Sequence, residues 1–294
     1  MITVFFWSGS DFFSKLGSPA SDKLSHWKMA IAVGLVMGIH AAYMLIFGGE
    51  SVTARDFIVY LPASFCYILS MIIGYAGLRY IELSISSPIC NSSGAVTAIL
   101  CAIFLGQSMM GYQLIGVVLI TAGIIALQGV DIRLDDERKK ADAKYIRSAK
   151  AIIYPLLYCA IDGIGTFADA WLLDGHIEEG PANIAYELTF LAMAVFAVIY
   201  ITVIKKQRIF NGAQQFRRLE APKLMAAVSE TAGQFAYIYA LSSNAILSAP
   251  LISAYCVLSM VWSRIFLKEK LTKSQYGAIA VAVAGIILLG FGDA

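Results

Sequence analysis

Long apolar stretches alternate with short polar connections along almost the whole chain. Ten of these stretches approach the roughly 20 residues that a helix needs to cross about 30 Å of hydrocarbon. No basic stretch precedes the first one, and Asp11 and Lys15 interrupt it, so we expect a helix there rather than a cleaved signal peptide. The pattern predicts an all-α integral membrane protein with ten transmembrane helices, at about 1–19, 29–47, 57–80, 84–105, 111–130, 151–173, 184–204, 221–241, 246–267 and 274–292.

The composition agrees with membrane insertion and argues against most soluble classes of protein. Of 294 residues, 59% are hydrophobic and 14% are charged, whereas soluble domains have about 45–50% apolar and about 25% charged residues. The sequence contains no P-loop, GxGxxG or HExxH motif, so we expect no cofactor, no metal site and no enzymatic activity. The cysteines lie in predicted helices without CxxC spacing, which favours buried, unpaired thiols; they are Cys66, Cys90, Cys101, Cys159 and Cys256.

Residues 74–127 and 236–289 read as two copies of one unit. A gap-free shift of 162 positions, the separation of Tyr75 and Tyr237, aligns them. Weak internal symmetry between two halves of an apolar chain is typical of secondary transporters. The matched positions include Ser86 with Ser248, Pro88 with Pro250, Gln113 with Gln275, and Ala122-Gly123-Ile124-Ile125 with Ala284-Gly285-Ile286-Ile287.

The ten predicted helices divide into two groups of five. We predict a first five-helix repeat over 1–130, a charged linker over 131–150 and a second five-helix repeat over 151–294. Acidic residues such as Asp135 and Glu137 interleave with the basic residues of the linker. This mixture favours a solvated loop over a lipid-binding patch, and we expect no nucleic-acid partner.

Basic residues outside the predicted helices fall almost entirely in odd-numbered connections. The even-numbered connections carry only Arg55, and neither terminus carries a basic residue. An excess of lysine and arginine marks cytoplasmic loops. We therefore expect a multi-pass protein of the plasma membrane, with cytoplasmic odd-numbered loops and both termini external.

Two segments resemble a known family. Trp7-Ser8-Gly9-Ser10-Asp11-Phe12 resembles the WGS-type opening of EamA-type members of the drug/metabolite transporter superfamily, and Phe266-Leu267-Lys268-Glu269-Lys270-Leu271-Thr272 resembles that family's LGE-x-LT turn. The corresponding Phe104-Leu105-Gly106-Gln107 lacks the glutamate. The resemblance implies two inverted five-helix repeats around a central cavity, with alternating access. Family members commonly have cytoplasmic termini, whereas the charge distribution here predicts external ones.

Polar and ionisable residues inside the predicted helices are the candidates for a functional site, because such groups are costly in a bilayer. Tyr158, Asp162 and Asp169 share one helical face, and so do Glu230, Gln234 and Tyr237. The substrate-binding candidates are Asp11, Asn91, Tyr158, Asp162, Glu230, Gln234, Tyr237, Tyr255 and Trp262. Candidates for a coupling or vestibule role are His40, Asp169 and Glu187.

These observations favour a secondary active transporter of a small polar molecule, with a cationic or amine-bearing metabolite or drug as the substrate. The chain has no room for an energy domain, so a proton or counter-solute gradient would drive transport. The alternative is an exporter of neutral or zwitterionic amino acids, with Asn91, Gln234 and the tyrosines as contacts. A sugar-nucleotide carrier would need basic residues in the cavity, where only Arg264 comes near. A channel or a membrane enzyme has no supporting motif, and the sequence leaves both a monomer and a homodimer open.

Overall fold

The computed structural model describes residues 2–106, 111–138, 149–210, 212, 214, 216–243, 252, 255–269 and 271–290, and the regular elements in these ranges are all helices. Short turns extend four of them: a 3-10 turn at Ala149–Ile152, and π turns at Tyr200–Ile204, Phe216–Glu220 and Ser263–Leu267. The helices are α1 (Ile2–Leu16), α2 (Ser25–Ile46), α3 (Ala54–Gly77), α4 (Leu83–Cys90), α5 (Ser93–Phe104), α6 (Gly111–Arg138), α7 (Ile153–Leu173), α8 (Glu179–Ile199), α9 (Ala221–Ser243), α10 (Tyr255–Trp262) and α11 (Lys273–Gly290).

Several of these helices can cross a bilayer by length and composition. Five qualify outright, namely Ser25–Ile46, Ala54–Gly77, Leu83–Phe104, Ile153–Leu173 and Glu179–Ile204. Shorter apolar helices occupy Leu114–Gly123, Tyr255–Leu267 and Lys273–Leu288. The prediction of an all-helical chain with helices suited to a membrane is confirmed for the described residues, and the count of ten spans stays a prediction.

The fourth predicted helix is broken in the middle. The sequence predicts one helix over 84–105, whereas the structure has α4 and α5 with a turn at Asn91 and Ser92. Pro88 precedes the turn, and a proline inside a helix removes one backbone hydrogen bond. The Ser92 hydroxyl donates to the Pro88 carbonyl (2.8 Å), so a side chain satisfies the backbone at the break, and the Asn91 side-chain amide donates to the Ser87 carbonyl (2.9 Å) beside the Asn91 backbone amide. The matching Pro250 lies outside the described residues.

Helices of one half pack mainly against helices of the other. In the described part of the chain, α1 packs against α9 and α10, α3 against α7 and α8, α2 against α8 and α9, and α6 against α11. If each helix is replaced by its counterpart in the other half, the contact of α1 with α9 becomes the contact of α7 with α3. The contact of α1 with α10 becomes the contact of α7 with α4 and α5. The contacts of α2 with α8 and of α6 with α11 are unchanged by this exchange. The contacts therefore follow the same scheme in both halves. Inversion of the second half stays a prediction.

The first, third and ninth connections meet at one end of the helices. The Arg79 guanidinium, in the third connection, donates to the backbone carbonyl of Lys23 in the first at 3.2 Å. The Glu269 carboxylate, in the ninth, accepts from the backbone amides of Leu83 (3.1 Å) and Ser84 (3.0 Å) at the start of α4. A carboxylate is favourable at the positive end of a helix dipole. The Glu269 contact joins the two halves at this end of the molecule. We call it the basic end, because its connections carry basic residues such as Lys23 and Arg79.

Buried ion pairs strengthen the same end. Lys28 and Lys223 each approach both Asp22 and Glu220, at distances from 3.0 to 3.8 Å. All four side chains are at most 12% exposed, so solvent screens the pairs weakly. The start of α2 is thereby held to the start of α9. Which side of the membrane this end faces stays a prediction from the charges.

Candidate functional site

A central cavity lies between the two halves. Its volume is about 90 Å³, which leaves room for several water molecules or a compact solute. Its walls come from α1, α3, α4, α5, α7, α8, α9 and α10. Eight of the predicted substrate-binding residues line it: Asp11, Asn91, Tyr158, Asp162, Glu230, Gln234, Tyr237 and Tyr255.

Two carboxyl groups from α1 and α9 lie at the same level of the cavity. Asp11 accepts hydrogen bonds from Ser87 of α4 (2.5 Å) and Ser259 of α10 (2.8 Å). Glu230 accepts a hydrogen bond at 2.8 Å from Ser10, the neighbour of Asp11. Both halves of the chain therefore contribute a carboxyl group and the serine hydroxyls that orient these groups.

A third carboxyl group comes from α7. Asp162 accepts a hydrogen bond from Ser70 of α3 at 3.3 Å. The helices α3 and α7 approach closely here because Gly74 has no side chain. A Cβ atom at that position would lie 2.7 Å from the ring of Tyr158, one turn before Asp162. The small residue on α3 thus allows Tyr158 to lie in the cavity wall.

Lys15 lies one turn after Asp11 on α1, a spacing at which opposite charges can pair. In the structure, the Lys15 ammonium donates to the backbone carbonyls of Leu78 and Ile81, at the end of α3 and just beyond it. Among the described residues that line the cavity there is no lysine, arginine or histidine. A carboxylate buried without a cationic partner favours its protonated form or attracts a cation. The cavity is therefore an acidic compartment suited to protons or cations.

Aromatic rings form another part of the wall. The Trp7 indole packs on Tyr237 and Tyr255, with ring centroids 4.8 Å and 5.6 Å apart. Trp7 occupies the room left by Gly233 of α9, because a Cβ atom on Gly233 would lie 2.4 Å from the indole ring. The electron-rich faces of such rings attract cations.

Asp169 lies outside the lining of the cavity. It is 0% exposed and accepts hydrogen bonds from Tyr60 (2.7 Å) and Tyr67 (3.1 Å) of α3. The Tyr67 hydroxyl also lies 3.2 Å from the hydroxyl of Thr166, which in turn accepts from Tyr237 at 3.4 Å. Asp169 is therefore connected to the cavity through hydroxyl groups and does not face it.

His40 and Glu187 form a pair between α2 and α8, with 2.8 Å between the His40 Nδ1 and a carboxylate oxygen. Neither residue lines the cavity. Trp262 is also absent from the lining. Its indole donates to the Ser8 hydroxyl at 3.2 Å, and its ring packs on Phe266. With Asp169, the structure therefore places four of the predicted residues outside the cavity wall, in contacts between helices.

Several lining residues are missing from the prediction, among them Trp7, Ser10, Tyr67, Tyr75 and Ser87. Tyr75 aligns with the predicted Tyr237 in the internal repeat, and this match is a signal that identifies it. Ser10 and Ser87 have no such signal, because serine is common in membrane helices.

Within the described ranges, no group of three or more histidine, cysteine, aspartate or glutamate side chains could hold a metal ion.

Comparisons with known proteins agree with this architecture. A sequence model of the EamA-like transporter family matches residues 1–128 and 149–291, which confirms the resemblance that the Trp7–Phe12 opening indicates. The chain is also similar to a solved structure titled "Crystal structure of protein", with a TM-score of 0.58 and 13% sequence identity over 98% of this chain and 93% of that chain. At that identity the likeness shows the fold alone. No match was found among curated proteins.

Proposed function

Because the chain belongs to the EamA-like transporter family, we propose that it carries small organic cations, amines in particular, across the membrane by alternating access. Membership of this family makes the protein a multi-pass membrane transporter of small molecules, and members are transporters rather than enzymes. The class of substrate and the coupling mechanism are the parts that we propose.

The observation that carries the proposal is the charge of the cavity. Asp11, Asp162 and Glu230 line it, and no basic side chain is found among its described lining residues. Buried carboxylates without cations are costly, so each must hold a proton or be near a positive charge. A transported ammonium group would supply that charge. Trp7 and its neighbouring tyrosines would add cation–π contacts, worth roughly 0.5–2 kcal/mol each.

The same carboxyl groups would couple transport to protons. In the empty cavity they would bind protons, and an entering cation would release these protons. A cation moving one way is thereby exchanged for protons moving the other way. The pairing of helices across the two halves suits a rocking motion about a central site, as in other transporters built from repeats.

A neutral or zwitterionic substrate is the alternative. Such a substrate would contact Asn91, Gln234 and the tyrosines, and a neutral one would leave the three cavity carboxyl groups without a direct role. A cation and a neutral substrate differ in the pH dependence of binding. A cation competes directly with protons for the carboxyl groups, whereas a neutral substrate does not.

The test is the binding of tetraethylammonium to purified protein as a function of pH, because this probe keeps its charge at every pH. We expect affinity to fall as pH falls in the wild type, since protons displace the cation. Asp162→Asn and Glu230→Gln should each weaken binding about tenfold or more and flatten the pH dependence. Glu178→Gln, on an exposed side chain at the start of α8, is the matched control and should change neither. Unchanged curves in both cavity variants would overturn the proposal.

We further propose that the basic end of the molecule faces the cytoplasm in a plasma membrane. The first, third, seventh and ninth connections meet at that end, and lysine- and arginine-rich loops stay in the cytoplasm. Both termini would then be external. A tag fused after Ala294 should be labelled by an impermeant reagent in intact cells, and labelling only after lysis would contradict this orientation.

A further inference from the structure

Three polar atoms in the cavity wall have no hydrogen-bond partner among the described residues. They are the Trp7 indole nitrogen, the Gln234 amide nitrogen and the Tyr75 hydroxyl. Gln234 is 2% exposed and Tyr75 is 7% exposed. Buried donors without partners are costly, so a group that enters the cavity is expected to satisfy them.

The donors of Trp7 and Gln234 lie at one level of the cavity. Trp7 packs against the backbone of α9 at Gly233, the residue before Gln234, where a Cβ atom would lie 2.7 Å from the indole nitrogen. Two helices that run in opposite directions therefore bring both donors to the same place. Neither Trp7 nor Gln234 is one of the acidic residues on which the proposed function depends.

The carboxyl groups form a second level, one helical turn away. Trp7 precedes Asp11 by four residues on α1, and Gln234 follows Glu230 by four residues on α9. Four residues rise about 6 Å along a helix. The hydrogen bond from Ser10 to Glu230 holds the two helices together at the carboxyl level. The cavity thus has an acidic level and a donor level about 6 Å apart.

The chemistry of the donor level is fixed by Trp7. An indole N–H can only donate, so its partner must be an acceptor. A carboxylate acceptor would be repelled by Asp11 and Glu230 at this separation. A carbonyl or hydroxyl oxygen has no such penalty.

We infer that the transported amine also carries an uncharged hydrogen-bond acceptor, a carbonyl or hydroxyl oxygen, that binds the Trp7 and Gln234 donors while its ammonium group lies among the carboxyl groups. The inference rests on the proposed function and adds a second recognition element to it. It separates amines that bear an amide, ester or alcohol from simple alkylamines and from amino acids.

The test compares three probes with the same four-carbon chain: butylamine, 4-aminobutanamide and 4-aminobutanoate. Dissociation constants are measured on purified wild-type protein by calorimetric titration. We expect the amide to bind roughly five- to tenfold more tightly than butylamine, because it satisfies buried donors. The carboxylate probe should bind more weakly than the amide.

Two variants test which side chains are responsible. Trp7→Phe removes the indole donor and keeps a ring, and Gln234→Met removes the amide and keeps the length of the side chain. Each should bring the affinity ratio of amide to butylamine toward one. Trp27→Phe is the matched control, because Trp27 packs on Phe196 and Tyr200 away from the cavity, and it should leave the ratio unchanged.

The outcomes separate this inference from the proposed function. If butylamine binds through Asp162 and Glu230 but the amide binds no better, the acceptor site is wrong and the cation site stands. If 4-aminobutanoate binds most tightly, the acceptor is charged and the inference is overturned. If neither butylamine nor the amide binds, the cation site itself is wrong, and the inference that rests on it falls too.

Discussion

Asp162 and Asp169 lie two turns apart on one face of α7, yet their surroundings differ. Asp162 lines the cavity and accepts a hydrogen bond from Ser70 at 3.3 Å. Asp169 is 0% exposed and accepts shorter hydrogen bonds from Tyr60 and Tyr67. The same neighbouring helix, α3, provides a serine at one level and two tyrosines at the other. The identity of these α3 residues decides which carboxyl group a solute can reach.

The difference teaches that burial of an ionisable group in a membrane does not by itself indicate a binding site. A carboxyl group that is fully enclosed by hydroxyl donors stabilises the contact of two helices. One that faces a cavity and lacks a cation remains available to a ligand. His40 and Glu187 resemble Asp169, because they also contact each other between two helices and lie outside the cavity lining.

The largest expected effect comes from breaking the enclosed site. Asp169→Ala leaves the Tyr60 hydroxyl without its acceptor and leaves the Tyr67 hydroxyl only Thr166, and we expect the free energy of unfolding to fall by about 2–4 kcal/mol. Affinity for tetraethylammonium should change by less than about threefold, because Asp169 does not face the cavity. Denaturant unfolding and ligand titration of the purified variant measure the two quantities.

A second substitution checks the physical reason for that loss. Adding Tyr60→Phe to Asp169→Ala removes a donor that would otherwise be unsatisfied, so part of the lost stability should return. The opposite pattern, full stability with abolished cation binding in Asp169→Ala, would place Asp169 in the binding site and remove the distinction from Asp162.

A smaller effect is expected when the cavity wall is disturbed without changing a carboxyl group. Gly233→Ala places a Cβ atom 2.4 Å from the Trp7 ring and displaces it. Overpacking of this kind costs about 1–3 kcal/mol, and we expect weaker cation binding because the aromatic wall moves. Gly277→Ala is the matched control, since nothing lies within 4 Å of its added atom. Equal behaviour of the two variants in unfolding and titration would show that the Trp7 contact is unimportant.

The smallest effect is expected for the pair of His40 and Glu187, which lies outside the cavity lining. His40→Gln replaces the imidazole opposite Glu187 with a neutral amide, but His40 is 28% exposed and water can replace part of the contact. We expect a stability loss of less than about 1 kcal/mol and unchanged cation affinity. A loss of transport at unchanged stability would instead assign the pair a part in coupling.

Much of the architecture is determined locally and can therefore be predicted from the sequence. Apolar stretches of membrane-spanning length predict helices, and the end of α1 at Leu16, before Gly17, Ser18 and Pro19, follows the local sequence. The repeat and the Trp7–Phe12 opening indicate the family that the sequence match confirms. The faces of α7 and α9 follow from helical periodicity, and Asp162 and Glu230 on these faces line the cavity, while their part in binding stays a prediction.

The tertiary structure alone decides how these faces are used. Periodicity puts Asp162 and Asp169 on one face, but only the approach of α3 shows which one is enclosed by tyrosines. Trp262 lies two turns after Tyr255, close to the same helical face, yet it does not line the cavity, and its indole donates to the Ser8 hydroxyl on another helix. A helical repeat fixes the direction of a side chain relative to its own axis. Its hydrogen-bond partners and its access to a cavity depend on helices distant in the chain, and the pattern within one helix carries no information about them.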